Sequence, residues 1–274
     1  MPARELLTIP GFADPFSSLS HLLAAGVFAV LSVPLVRKGL RASSAEGRGW
    51  LNGRTAALVV FAFAAVLLLS MSGVFHLLGP DGHARPVLQR LDHAAIFVLI
   101  AGTYTPIHTI LFRGVWRWGM LSLVWMLAAA GVTLKSIYFE DLPRGLGHGL
   151  YIAMGWLGVI SFSALWRRLG ARGLAPLLAG GVAYTIGALI DGIEPRPLVS
   201  GVIRAHEIFH VAVLAGLGLH WWFVWGIADY SMPRRPGGIL EVKPLGSGTR
   251  RSEGTEVRVF SGRGSATTLP PSRK

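Results

Sequence analysis

The chain has 274 residues, of which 52% are hydrophobic and only 15% are charged, and its mean hydropathy is +0.52. An ordinary soluble domain has a charged fraction of about 25%, so this composition excludes that class and predicts a polytopic membrane protein. The absence of cysteine excludes disulfides and thiolate metal ligands, so a metal site would use histidine, carboxylates and water. The formal net charge is +12, and nine Lys/Arg against three Glu in residues 231–274 contribute +6 of it.

Apolar runs long enough to cross a bilayer recur seven times along the chain. A hydrocarbon core about 30 Å thick needs about 20 residues of helix. The sequence therefore predicts an all-α fold, a bundle of seven transmembrane helices within residues 16–230 that follows a short N-terminal segment, residues 1–15. The predicted spans are 16–36, 55–79, 91–112, 118–138, 147–166, 174–193 and 203–227.

The two ends of the chain differ in character. The N-terminal MPARELLTIPGFADP has no apolar core before Phe16, so we do not expect a cleaved signal peptide. Residues 231–274 are rich in Gly, Ser and Arg, and they predict a disordered basic tail because they contain too little apolar surface to fold. We expect this tail to rest on anionic lipid headgroups. We expect no nucleic-acid partner, because the segment lacks a series of aromatic residues for base stacking.

The distribution of Lys and Arg between the spans predicts the orientation of the chain. The side that holds the C-terminus carries, besides the tail, Arg37, Lys38, Arg41, Arg48, Arg54, Arg113, Arg117, Arg167, Arg168 and Arg172. The opposite side carries Arg4, Arg85, Arg90, Arg144, Arg196 and Arg204. The excess predicts a cytoplasmic C-terminus and an outward N-terminus, in what we expect to be a bacterial cytoplasmic membrane.

Unusual polar residues lie at three helix ends. Residues 206–210 read HEIFH, with two histidines one helical turn apart, and the second span ends in SMSGVFH, in which Ser72 and His76 are also four apart. The third span begins with RLDH, which includes Asp92. If the spans alternate in direction, all three ends lie at one depth on the N-terminal side. Ionisable groups at membrane depth are costly and indicate a metal, a proton path or a partner.

Together these residues predict a metal site. His76, His206 and His210 with one water molecule would form a tetrahedral zinc site with an open position. Asp92 could reach the zinc directly or through this water, and Ser72 could hydrogen-bond to the water. A lone intramembrane histidine more often bonds to a neighbouring helix, but three at one depth favour the metal. We expect no ligand role for the other histidines. His93 points about 100° away from Asp92 around the helix, and His83 lies in a short loop. The remaining four lack a partner at helical spacing and depth: His21, His108, His148 and His220.

Five segments of the chain resemble the hemolysin III branch of the progestin and adiponectin receptor superfamily of membrane proteins. They are SLSHLLAAG, SMSGVFH, LDHAAIFVLIAGTYTP, GGVAYTIGALI and HEIFHVAVLAG, in spans one, two, three, six and seven. The resemblance extends from about residue 16 to residue 227, and the third-span segment is long and specific. It implies a seven-helix fold that contains an intramembrane zinc ion.

The resemblance also implies roles for residues of this chain. The three histidines of the two motifs would bind zinc, and Asp92 and Ser72 would act through the zinc-bound water. The family is similar to alkaline ceramidases, so our hypothesis is hydrolysis of a lipid amide or ester with Asp92 as the proton acceptor. Glu207 lies about 100° around the helix from the flanking histidine, so it is less suited to be the base. Adiponectin receptors place their N-terminus and zinc inside the cell, opposite to the orientation that the charges predict here.

Two other classes of function remain open. An intramembrane zinc protease also uses HExxH, and LIDG at residues 189–192 is similar to the element that supplies its third ligand. In that class the element follows HExxH, whereas Asp191 precedes it, and a protease leaves the polar residues of spans two and three unexplained. The second class is a pore-forming or receptor-like protein in which a structural zinc joins helices. Such a closed site differs from a catalytic one because the protein supplies the fourth ligand.

Overall fold

The computed structural model describes residues 14–50, 52–79, 82–141, 143–193, 195 and 204–231, and every regular element within them is a helix. The helices are α1 (Pro15–Ala45), α2 (Gly53–Leu77), α3 (Arg85–Leu111), α4 (Val115–Ile137), α5 (Arg144–Trp156), α6 (Val159–Ile193) and α7 (Ala205–Ile227). Residues 1–13 and 232–274, which include nearly all of the predicted basic tail, lie outside the described residues.

Local sequence explains where several helices begin. α1 starts at Pro15, which suits a first turn because its missing N–H would have no helical partner there. α2 is capped by Asn52, whose side chain accepts a hydrogen bond from the backbone N–H of Thr55 at 3.0 Å. At the start of α7 the carboxylate of Glu207 accepts a hydrogen bond from the backbone N–H of Arg204 at 2.8 Å. Caps of this kind define the starts of the two helices that carry the predicted metal ligands.

Helix α6 is divided at Gly170, whose φ of 66° and ψ of 179° are not helical. Two hydrogen bonds show that the chain reverses there. His148 Nε2 donates to Asp191 Oδ2 at 3.0 Å, and Trp156 Nε1 donates to Thr185 Oγ1 at 3.0 Å. Both pairs lie nearly symmetrically about Gly170, as the two arms of an antiparallel hairpin require. Glycine suits this point because a positive φ strains residues that carry a Cβ.

The described helices therefore supply seven segments that can cross a membrane, which confirms the predicted helical bundle. Six helical stretches are long and apolar enough to span a bilayer, and the longest, Gly145–Ile193, has 49 residues. One crossing needs about 20 residues, so the reversal at Gly170 makes this stretch the fifth and sixth crossings. α1 continues to Ala45, beyond the predicted end at residue 36, and α3 begins at Arg85, before the predicted start at residue 91.

Helices approach one another closely where glycine faces a small residue. A Cβ at Gly102 of α3 would lie 2.6 Å from the Cβ of Ala64 in α2. A Cβ at Gly187 of α6 would lie 2.5 Å from the Cβ of Ala212 in α7. Between helices in a bilayer the hydrophobic effect is weak, so close van der Waals packing of small residues holds the bundle together. The tight packing of α2 against α3 and of α6 against α7 positions the helix ends that carry the site.

Candidate metal centre

Three histidines from two helices converge on one point. His76 lies in the last turn of α2, and His206 and His210 lie near the start of α7. The Nε2 atom of His206 lies 3.2 Å from that of His76 and 3.1 Å from that of His210. One ring nitrogen of each histidine lies within 4.8 Å of the other two. The structure thus brings together the three residues that the sequence predicted as metal ligands.

The arrangement of these nitrogens fits a tetrahedral metal ion. Zinc–nitrogen bonds of 2.0–2.1 Å place two tetrahedral ligand atoms about 3.3 Å apart, close to the observed separations. The Nδ1 atoms of His76 and His206 both donate hydrogen bonds to carboxylates, so in each neutral ring Nε2 carries a lone pair. In two neutral rings these lone pairs face each other at 3.2 Å, and a cation between them, a metal ion or a shared proton, removes their repulsion.

Two carboxylates hold the ligand rings from outside. Asp14, just before α1, accepts a hydrogen bond from His76 Nδ1 at 3.0 Å. Asp191, near the end of α6, accepts hydrogen bonds from His206 Nδ1 and from His148 Nε2, each at 3.0 Å. The hydrogen bond from His76 lowers the pKa of the Asp14 carboxyl below its usual value, although burial opposes this shift. Carboxylates in this position fix the orientation of histidine ligands and raise their basicity.

Asp92 and Ser72 line the same cavity as the three histidines. Both residues are buried. Ser72 lies one turn before His76, so its hydroxyl and the histidine ring share one face of α2. The cluster of ligand atoms found among the described residues consists of the three histidines and does not include Asp92.

His21 of α1 lies against this centre, and the sequence predicted no ligand role for it. Its ring stacks on that of His210, with centroids 4.1 Å apart and an interplanar angle of 29°. The side chain is 2% exposed, and neither ring nitrogen has a hydrogen-bond partner among the described residues. The stacked ring restricts the orientation of His210, whose own Nδ1 has no partner in the described part of the chain.

The other acidic residues near the HEIFH motif are engaged elsewhere. Glu207 is 3% exposed, and its carboxylate bonds to the backbone N–H of Arg204 and lies 3.6 Å from the guanidinium of that residue. Asp191 is the residue that a protease would use as its third metal ligand. Both of its oxygens instead contact outer histidine nitrogens, those of His206 and His148. These contacts argue against an intramembrane protease.

A cavity of about 750 Å³ extends from the histidines into the bundle. Its wall includes Asp92 and His108 of α3, which are 16 positions apart and so about 24 Å apart along the helix axis. Between these ends the wall is mainly apolar, with Leu68, Ile96, Leu99, Ile100, Ile107, Leu165, Leu174 and Leu177. The charged residues and most of the histidines of the lining lie at one end, here called the polar end, and the rest of the wall is mainly apolar. A cavity of this kind suits a molecule with a hydrocarbon chain and a polar head.

Comparison with known proteins reveals a family relationship over most of the chain. A family model described as haemolysin-III related matches residues 12–221, which include all five predicted site residues. The Hemolysin-3 protein of Bacillus cereus is 31% identical over 198 residues, which cover 72% of this chain and 85% of the relative.

Relatives from eukaryotes also match more than half of the chain. The heptahelical transmembrane protein ADIPOR2 of Oryza sativa subsp. japonica is 32% identical over 178 residues, 60% of this chain and 78% of the relative. The monocyte to macrophage differentiation factor of Homo sapiens is 25% identical over 173 residues, 61% of this chain and 68% of the relative. The similarity thus extends from bacterial hemolysin-like proteins to a plant protein that is described as heptahelical.

Proposed function

Because the chain belongs to the haemolysin-III-related family, within the progestin and adiponectin receptor superfamily, we propose that it is a zinc-dependent membrane hydrolase of lipid amides or esters. The observation that carries this proposal is the position of the three histidines at the polar end of a long apolar cavity. The enzyme acts, in this proposal, from within a bacterial cytoplasmic membrane with its N-terminus outward.

The donor set supports zinc as the metal. Three neutral imidazoles from two helices leave a fourth tetrahedral position for water or substrate, which is typical of catalytic zinc sites. The carboxylates of Asp14 and Asp191 support two of the three rings, as in many zinc enzymes. When bound, zinc would supply Lewis acidity for the substrate carbonyl and increase the acidity of water.

The residues beside the triad would perform the proton transfers. Asp92 accepts a proton from the attacking water at a carboxylate oxygen, and the water oxygen forms a bond to the carbonyl carbon of the lipid. The proton then passes to the departing amine or alcohol as the amide or ester bond breaks. Ser72 lines the same cavity as Asp92, and in this proposal its hydroxyl hydrogen-bonds to the attacking water. The apolar wall of the cavity binds the acyl chain and excludes bulk water.

A second function is favoured by the name of the Bacillus cereus relative, Hemolysin-3. In this alternative the protein forms a membrane pore or acts as a receptor, and zinc only joins α2 to α7. The two functions differ in the fourth metal position, which protein occupies in a structural site and which stays open in a catalytic one. They also differ in the expected effect of changing Asp92.

The decisive experiment combines metal analysis with hydrolysis assays on the purified full-length protein. We expect about one zinc per chain in the wild type, and loss of zinc in His76→Ala, His206→Ala and His210→Ala. Asp92→Asn should retain zinc but hydrolyse ceramide-like amides or lipid esters about 10²- to 10⁴-fold more slowly, the usual contribution of a general base. His83→Ala is the matched control, because His83 is an exposed histidine outside the cavity.

Two results would count against the enzyme. Full zinc content in all three histidine variants would exclude the proposed site. Retained zinc with no hydrolysis in the wild type, together with membrane lysis that survives Asp92→Asn, would favour the structural alternative.

A further inference from the structure

Lys135 is a buried cation at the same end of the cavity as the three histidines. It lies in the last turn of α4, is 7% exposed and forms part of the cavity wall. Its Nζ atom lies 5.2 Å from the centre of the Phe139 ring. A Cβ at Gly147 of α5 would lie only 2.8 Å from Nζ, so the glycine leaves the space that the ammonium group occupies.

The charge of Lys135 has no acidic partner among the described residues. Two other charged side chains of the described cavity wall have partners within the protein: Asp191 with His148 and His206, and Arg204 with Asp14 and Glu207. A charge at membrane depth is costly unless it is paired, and a ring face compensates only part of that cost. An anion supplied by the cavity's ligand would complete the pairing.

The position of Lys135 relates this anion to the proposed reaction centre. The Phe139 ring that lies below Nζ also stacks on His93, with centroids 5.0 Å apart. His93 lines the cavity and directly follows Asp92 in α3. An anionic group on Lys135 would therefore lie at the polar end of the cavity, near Asp92, with its hydrocarbon chain in the apolar body.

We propose that Lys135 selects single-chain lipids whose polar end carries an anionic group, either a phosphate or a carboxylate. This inference rests on the proposed function in so far as the selected lipid is the substrate. Binding itself requires neither zinc chemistry nor turnover. An ammonium group is a compact charge that attracts phosphate and carboxylate alike. Lys135 therefore predicts an anionic ligand, and an experiment must compare the two anions.

Equilibrium binding to the detergent-solubilised full-length protein tests this inference. The probes are radiolabelled 1-oleoyl lysophosphatidate, oleate and the neutral monooleoylglycerol. We expect Lys135→Met to weaken binding of at least one anionic probe about tenfold or more, and to change the affinity for monooleoylglycerol less than about twofold. Lys135→Arg should retain the preference for anions. Lys38→Met is the matched control, because Lys38 lies at the other side of the membrane and pairs with Asp229 at 3.2 Å.

The two anionic probes distinguish the two chemical sources. A greater loss for lysophosphatidate identifies a phosphate site, and a greater loss for oleate identifies a carboxylate site. Equal affinity of wild type and Lys135→Met for both anions would overturn the inference, as would an equal loss for the neutral probe. Zinc content and thermal stability, measured on each variant, show whether the protein is folded. If the wild type hydrolysed none of the tested lipids, the enzyme proposal would fail while the binding result would stand.

Discussion

His206 uses its two ring nitrogens for different purposes. Nε2 faces the other two histidines, whereas Nδ1 donates a hydrogen bond to Asp191, which also binds His148. The bond to Asp191 selects the tautomer that leaves the lone pair on Nε2, the atom that would bind a metal. The negative charge of the carboxylate also makes the ring a better electron donor.

This arrangement predicts that Asp191 contributes to metal affinity without touching the metal. Asp191→Asn should weaken zinc binding about 10- to 100-fold, because the amide removes the charge that supports His206. The measurement is competition with a chelator of known affinity in detergent solution. Glu207→Gln is the matched control, since Glu207 adjoins His206 in sequence but bonds to the start of α7, and its zinc affinity should stay within about threefold of wild type. Unchanged affinity in Asp191→Asn would show that this carboxylate does not support the metal.

The sequence predicted some residues of the centre because local spacing reveals them. His206 and His210 share a helix face, and alternation of the spans places them at the depth of His76. Asp14 and His21 were not predicted, because their contacts join residues 62 and 189 positions apart, and no period in one sequence records such contacts. The alternating direction of the spans does place the start of α1 on the same side of the membrane as the three histidines. It defines only the depth of a residue, however, and not which side chains contact one another.

At the scale of the helices, hydropathy predicted the crossings but not their irregularities. The spans were recognisable because about 20 consecutive apolar residues are required to cross a bilayer. The interruption after Trp156 was not predicted. There the hydroxyl of Tyr104 in α3 donates a hydrogen bond to the backbone carbonyl of Gly155 at 2.7 Å. A partner from another helix thus takes a carbonyl near the end of α5, and no local pattern contains that information.

Close packing of α2 against α3 should depend on the absence of one Cβ. Gly102→Ala places a methyl group 2.6 Å from the Cβ of Ala64, and neither atom can rotate away. We expect the free energy of unfolding to fall by about 1–3 kcal/mol, as overpacking does elsewhere. Denaturant titration in mixed micelles would measure it.

Two variants separate this contact from the general effect of alanine in a helix. Gly218→Ala in α7 has open space around the new Cβ and should not destabilise the protein. Adding Ala64→Gly to Gly102→Ala moves the methyl group from one helix to the other, and it should restore most of the loss. If the loss of unfolding free energy in the double variant equalled the sum of the losses in Ala64→Gly and Gly102→Ala, the close approach of the two helices would not be the cause of the destabilisation.

For the whole molecule, seven crossings place the two ends of the described chain on opposite sides of the membrane. The start of α1 then lies on the same side as the histidine centre, and the end of α7 lies with the segment between α1 and α2. Arg54 in that region bonds to Glu46 and to the backbone carbonyl of Tyr230, each at 2.9 Å. These bonds join the end of α7 to the segment between α1 and α2, so both lie on the same side of the membrane. That side carries the excess of Lys and Arg.

The excess of Lys and Arg on that side predicts that it faces the cytoplasm. Because the chain has no cysteine, single cysteines can report the orientation directly. Gly49→Cys lies between α1 and α2, and His83→Cys lies between α2 and α3, and both positions are exposed. In intact bacterial cells a membrane-impermeant maleimide should label His83→Cys, whereas Gly49→Cys should react only after the membrane is opened. The reverse pattern would place the histidine centre on the cytoplasmic side, and lipid substrates would then have to enter from the inner leaflet.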